Sequence, residues 1–216
     1  MAEARPRRLL ATLFARFDGS VLHVAPPGQP AAPLQMPTAA QHRRWAPLLG
    51  WCMSGAVGER GPQTRLSVAL WPAQPGSPDA ALIEAFSRHL DGSHQLLAAG
   101  GALAGGWLRL RVKACDVAWW RPRRPTDPWD CGYVVNEAAA RDALARFRPR
   151  RATLMVAMGW SQADLDDTLA QLVRSSAHWA HPVRWLVVQG REQDLPVLPG
   201  LGGLPLVRIQ PLDTER

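Results

Sequence analysis

The chain has 216 residues, 47% of them hydrophobic, with a formal net charge of +7 and a pI of about 10.8. That length and apolar content fit one domain with its own core and argue against disorder. No apolar run approaches the ~18 residues needed to span a bilayer, and Leu9–Phe14, interrupted soon after by Arg16 and Asp18, is too short for a secretory leader.

Cys52, Cys115 and Cys131 are odd in number and form no CxxC, so they read as thiols of a reducing, cytoplasmic compartment. No ligand pair has zinc spacing; neither a metal nor a cofactor is expected. The positive charge suits nucleic acid, anionic lipid or an acidic protein surface. Lys113 is the only lysine, so 24 of the basic residues are arginine. With many Pro, Gly and Ala, this is equally the mark of GC-rich coding.

Residues 1–37 read as an irregular N-terminal part. Leu9–Phe17 and Val21–Val24 flank Asp18-Gly19, a hairpin signal. Pro26–Pro37 carries five prolines and reads as a linker or surface loop. Thr38 is a good N-cap for a helix over Ala39–Ala56, with Trp45, Leu48, Leu49, Cys52 and Met53 on one face. Arg65–Leu70 alternates and reads as a strand. Ser77-Pro78 opens a helix over Asp79–Leu90, which Asp91-Gly92 ends. Leu108, Leu110, Val112 and Ala114 alternate with Arg109, Arg111, Lys113 and Cys115, the pattern of a strand with one basic face. Pro122–Asp130 reads as a loop.

From Gly132 to about 210 the pattern is regular. Tyr133–Val135 is a short strand, and Asn136 is placed to cap a helix over Glu137–Phe147. Thr153–Met158 is a continuous apolar strand, as for one covered on both faces. Ser161 and Asp164 read as a capping box for a helix to about Ala177; Val183–Val188 and Leu204–Ile209 are further strands. This alternation predicts a βαβαβ unit within a single α/β domain: a mixed, mostly parallel sheet with helices on both faces.

Three constellations could carry function. The turn Met158-Gly159-Trp160-Ser161 joins a strand end to a helix start, where α/β folds place ligands. However, Asp164, Asp166 and Asp167 would repel a phosphate, and no GxGxxG or P-loop motif is present, so a capped structural helix explains the turn better. A Ser/Cys–His enzyme finds little support: there is no GxSxG, and His23, His42, His89, His94, His178 and His181 are scattered. The third is Trp119-Trp120-Arg121-Pro122-Arg123-Arg124, continuing to Trp129. Arginine beside tryptophan serves single-strand binding, with charge for the backbone and rings for stacking. It serves protein interfaces equally, since Trp and Arg dominate hot spots. An Arg-covered loop with its tryptophans anchored in the core is the plain alternative.

Two stretches are similar to a bacterial family of polytopic membrane proteins often encoded beside a GTPase-like partner. One is Arg43-Arg44-Trp45-Ala46 with Leu48-Leu49 and Cys52, followed by Arg65-Leu66. The other is Val156-Ala157 with Gln162 and Thr168-Leu169. Ser161, Ala163 and Asp164 depart from the family's Arg, Thr and Pro, and its membrane helices have no counterpart here. The resemblance implies no activity, only a partner-dependent accessory role. The reading is therefore a non-enzymatic interaction or adaptor subunit of a bacterial assembly, binding through Trp119, Trp120, Arg121, Arg123, Arg124 and Trp129. The alternative is a nucleic-acid-binding protein using the same surface.

Overall fold

A computed structural model of the chain describes residues 21–54, 65–74, 76–99, 106–107, 110, 127–190 and 206–211. In chain order the elements are α1 (Ala39–Met53), β1 (Leu66–Pro72), α2 (Pro78–Leu90), α3 (Ser93–Ala98), β2 (Asp130–Val134), α4 (Ala138–Arg146), β3 (Thr153–Met158), α5 (Gln162–Ser176), β4 (Val183–Gln189) and β5 (Leu206–Arg208).

The five strands form one sheet in the order β2-β3-β4-β1-β5, and every strand pair is parallel. Side chains alternate across it, as the pleat requires. Ala69, Trp71, Leu154, Val156, Leu186 and Val188 face one way and pack with Trp45, Leu48, Ile83 and Phe86 of α1 and α2. Leu66, Val68, Leu70, Met155, Ala157, Trp185 and Val187 face the other way and pack with Leu144 of α4 and Leu165, Leu169 and Leu172 of α5. The α/β fold with helices on both faces is thus present. The connection from β1 to β2 crosses on the α2 face. The return from β2 through β3 to β4 runs in the opposite direction on the opposite face, so all three connections share one hand.

The caps read from sequence hold at three helices. Thr38 and Gln41 form a reciprocal capping box on α1. Ser77 accepts from the Ala80 amide with Pro78 at the first position of α2. Ser161 accepts from the Asp164 amide on α5. Two other expectations need correction. Asn136 does not cap α4; Glu137 holds that position without a side-chain bond, and Asn136 turns to Asp164 instead. Leu110, a described residue of the expected strand over Leu108–Ala114, is helical together with 106–107; the rest of that stretch lies outside the described residues. The strand read at Arg65–Leu70 is present as β1, and Val68–Trp71 are all buried, because β4 and β5 flank the strand and both faces are covered.

Leu9–Phe17 lies outside the described residues. Val21–Val24 is held by another element: His23 bridges antiparallel to Tyr133 of β2, with mutual backbone bonds of 2.9 and 2.8 Å. The crossing is so close that a Cβ on Gly132 would lie 2.8 Å from Leu22 Cβ and 2.9 Å from the His23 carbonyl; only glycine fits there.

Candidate functional site

Of the six residues singled out in the Arg/Trp stretch, Trp119, Trp120, Arg121, Arg123 and Arg124 lie outside the described residues. Trp129 is buried in the core between α2 and the sheet, and its amide donates to the Leu90 carbonyl at 2.9 Å. Its ring is therefore packing, not a solvent-facing platform.

The remaining tryptophans make the contrast that matters. Seven of the eight among the described residues are buried. Trp107 is 69% exposed. Leu110, three residues on and also helical, is 58% exposed. Leu96 and Leu97, on the short α3 just before this segment, are exposed as well.

At the carboxyl ends of the strands, the Gly159 turn (φ +71°) delivers Trp160 inward, where its indole donates to the Val134 carbonyl at 3.1 Å. Asp164 is the hub outside it. Its carboxylate accepts from Asn136 at 2.9 Å and from the Ser161 hydroxyl at 2.7 Å, and it pairs with Arg141 of α4. The Asn136 and Ser161 bonds hold the Asp164 carboxyl below the usual carboxylate range. These groups answer one another and fasten α4 to α5, as a capped structural helix requires.

The two thiols among the described residues, Cys52 and Cys131, are not poised as nucleophiles. Cys52 is fully buried, and burial pushes its pKa up to about 12, with Arg184 opposing in part. Burial likewise holds Cys131 well above the ordinary thiol value. Among the described residues, no group of three or more His, Cys, Asp or Glu could hold a metal ion.

Sequence reading missed a polar cluster on the α1/α2 face. His42, His89 and His94, scattered along the chain, meet there: His42–His89 ring centroids are 5.1 Å apart and His89–His94 6.0 Å. Burial keeps the pKa of His89 and of His94 below the ordinary imidazole value. Beside them, Glu84 and Arg88 pair across one helical turn at 2.9 Å. Both grip the Pro-rich segment: Glu84 accepts from the Ala32 amide at 2.9 Å, and Arg88 donates to the Ala32 carbonyl at 3.0 Å. That segment is thus a strap laid over α2, with a cavity beneath it. The available signal was a Glu and an Arg spaced i, i+4 on a helix otherwise apolar on that side.

Comparison with protein-family models finds no match, and no curated protein matches the chain.

Proposed function

We propose that the protein is a non-enzymatic interaction subunit that engages a protein partner through the segment between α3 and β2. The observation that carries this reading is Trp107. The fold buries the other tryptophans described, whereas this one stands in solvent three residues from the exposed Leu110. Scattered exposed aliphatics are ordinary on a soluble surface. An exposed tryptophan beside a leucine is the composition of an interface hot spot. The same segment leads in sequence into Trp119-Trp120-Arg121 and Arg123-Arg124, which suit an acidic rim around an apolar pocket on the partner. The carboxyl-end polar groups support the reading from the other side, since Asp164 and its neighbours are occupied with one another. The resemblance to a family encoded beside a GTPase-like partner points the same way.

The test is capture of partners from the native host by the full chain, quantified for wild type, for Trp107→Ala/Leu110→Ala, and for Arg121→Ala/Arg123→Ala/Arg124→Ala. The apolar double change is expected to cost ~2 kcal/mol or more, roughly thirtyfold in affinity. A random single-stranded oligonucleotide should bind weakly at physiological salt. Tight oligonucleotide binding that the triple arginine change removes, with a salt slope flattened by roughly two to three units, would replace this reading with the nucleic-acid one.

A further inference from the structure

The strap is lightly held. Residues 26–37 carry no charged side chain, and most of them are exposed. Hydrogen bonds tie it down at two places. Ala32 is gripped by Glu84 and Arg88 of α2, and the Gln35 carbonyl accepts from the His94 ring of α3. A segment with so little buried apolar surface opens locally at small cost. His94 is its opposite: the residue is 3% exposed and lies beneath the strap, in the wall of the cavity that Gln35 and Arg88 also line.

The ring reaches Gln35 through one nitrogen. The other, Nδ1, is buried and has no hydrogen-bond partner among the described residues. In the neutral ring Nδ1 is a lone pair. In an imidazolium it becomes an N–H with nothing to accept it, on a buried cation next to Arg88. Burial is the largest influence on His94 and lowers its pKa from 6.5. Asp91, between α2 and α3, opposes this, as does the Gln35 bond; Arg88 of α2 and His42 of α1 reinforce it. The His89 ring stands 6.0 Å away, and Glu84 is paired with Arg88. Cys131 and Tyr133 of β2, which sense Asp91 and Glu84, have their pKa raised by burial and stay uncharged. With the strap lifted, the His94 ring meets water and Nδ1–H finds an acceptor. The open form therefore takes up a proton more readily than the closed one, so opening is favoured as pH falls below 6.5.

We propose that the strap is an acid-released clasp: a proton taken up by His94 breaks its fit against Gln35 and frees residues 26–37 from α2 and α3. The Ala32 grip lies three residues from Gln35, so the two fastenings open together and close together at neutral pH. The clasp is separate from the Trp107 surface and does not depend on the adaptor reading.

Amide exchange of the full chain, followed by NMR and expressed as protection relative to the unprotected rate at each pH, tests this. The Ala32 N–H, held by Glu84, reports the strap; Val156 and Leu186, in strands paired on both edges, report the sheet. From pH 7.5 to 5.5 the protection of Ala32 should fall several-fold, towards the limit of about tenfold that one proton allows, while Val156 and Leu186 fall less. His94→Gln keeps an N–H for the Gln35 carbonyl but cannot titrate, so Ala32 should hold its protection across the range. Ala32→Pro guards against misfolding of that variant. It deletes the N–H that Glu84 holds, on an exposed residue of the strap, and changes no charge. There the His94 ring, followed by its ¹⁵N signals, should titrate closer to 6.5 than in wild type. Any of four results would overturn the proposal: Ala32 unprotected already at pH 7.5; Ala32 protection constant to pH 5.5, or lost only in step with the sheet; the wild-type fall retained in His94→Gln; or an unmoved His94 titration in Ala32→Pro.

Discussion

Two polar clusters sit on opposite faces of the same sheet, and they are built to different standards. At the carboxyl ends, Asp164 gathers Asn136, Ser161 and Arg141, and every one of these groups finds a partner. Beneath the strap, Glu84 and Arg88 are likewise paired, yet Arg88 Nε and His94 Nδ1 are buried without one among the described residues. The first cluster joins two helices and has no further capacity. The second holds a loop down and leaves two buried polar atoms unanswered. In an α/β fold the strand-end turn is the expected place for a ligand. Here the unanswered buried atoms lie to the side, under a proline-rich strap.

The largest test of this contrast is Glu84→Ala. The Glu84 and Arg88 side chains are 11% and 15% exposed, so removing the carboxylate leaves a mostly buried guanidinium without its counter-ion. Breaking such a pair costs about 3 kcal/mol. The strap loses one of its two bonds at Ala32 in the same step. Urea unfolding should show the loss, and limited proteolysis should cut within 26–37 faster than in wild type. Unchanged cleavage would mean that the strap is held by something other than the Glu84–Arg88 grip.

At the other cluster the effects are smaller, because the groups are nearer to water. Ser161→Ala removes the N-cap of α5 and should cost about 1 kcal/mol. Asn136→Ala, on an exposed side chain, should change stability by less than ~0.5 kcal/mol. Made together they should be less than additive, since both act through the Asp164 carboxylate. Strict additivity in urea midpoints would show that Asp164 is not the hub.

How far the sequence carried this picture follows from the range of the interactions involved. Thr38, Ser77 and Ser161 were readable as caps because a cap is decided within four residues. The runs Thr153–Met158 and Val183–Val188 were readable as covered strands because they have few polar residues to expose. The alternation over Arg65–Leu70 was readable as a strand, but its neighbours on both edges come from far along the chain. Around Leu110 an alternating pattern suggested a strand, yet Trp107 and Leu110 are three apart, which also fits a helix face, and helix prevails at both residues. Trp129 stands close in sequence to Trp119 and Trp120, but it leads directly into β2 and is drawn into the core with that strand. Five prolines marked the strap as neither helix nor strand. Its docking on Glu84 and Arg88 is a contact across 52 residues that no local pattern encodes. The histidine cluster was hidden for the same reason: His42, His89 and His94 lie on three helices and meet only after packing.

The smallest effect separates the two clusters by pH. His89 has its pKa lowered from 6.5, first by burial and then by His42 and His94. The unfolded chain therefore binds a proton there more readily than the folded one, so stability rises with pH in this window. The contribution of His89 is complete above pH 6.5 and is lost as pH falls through the folded value. Asp164, lowered from 3.8 by its Asn136 and Ser161 bonds, behaves with the same sign in a lower window: its contribution is complete above 3.8 and is lost as pH falls through its own folded value. Asp91, close to His94, opposes the histidines. Burial raises its pKa above 3.8, so protonating it on the way down favours the folded state. Urea midpoints measured from pH 8 to pH 5 should therefore fall below pH 6.5 in wild type and fall less in His89→Gln. Asp164→Asn should leave that limb intact and, in a series extended below pH 3.8, flatten the limb there. If His89→Gln follows the wild-type curve from pH 8 to 5, His89 is as well solvated as free imidazole, and burial on that face is not what lowers its pKa.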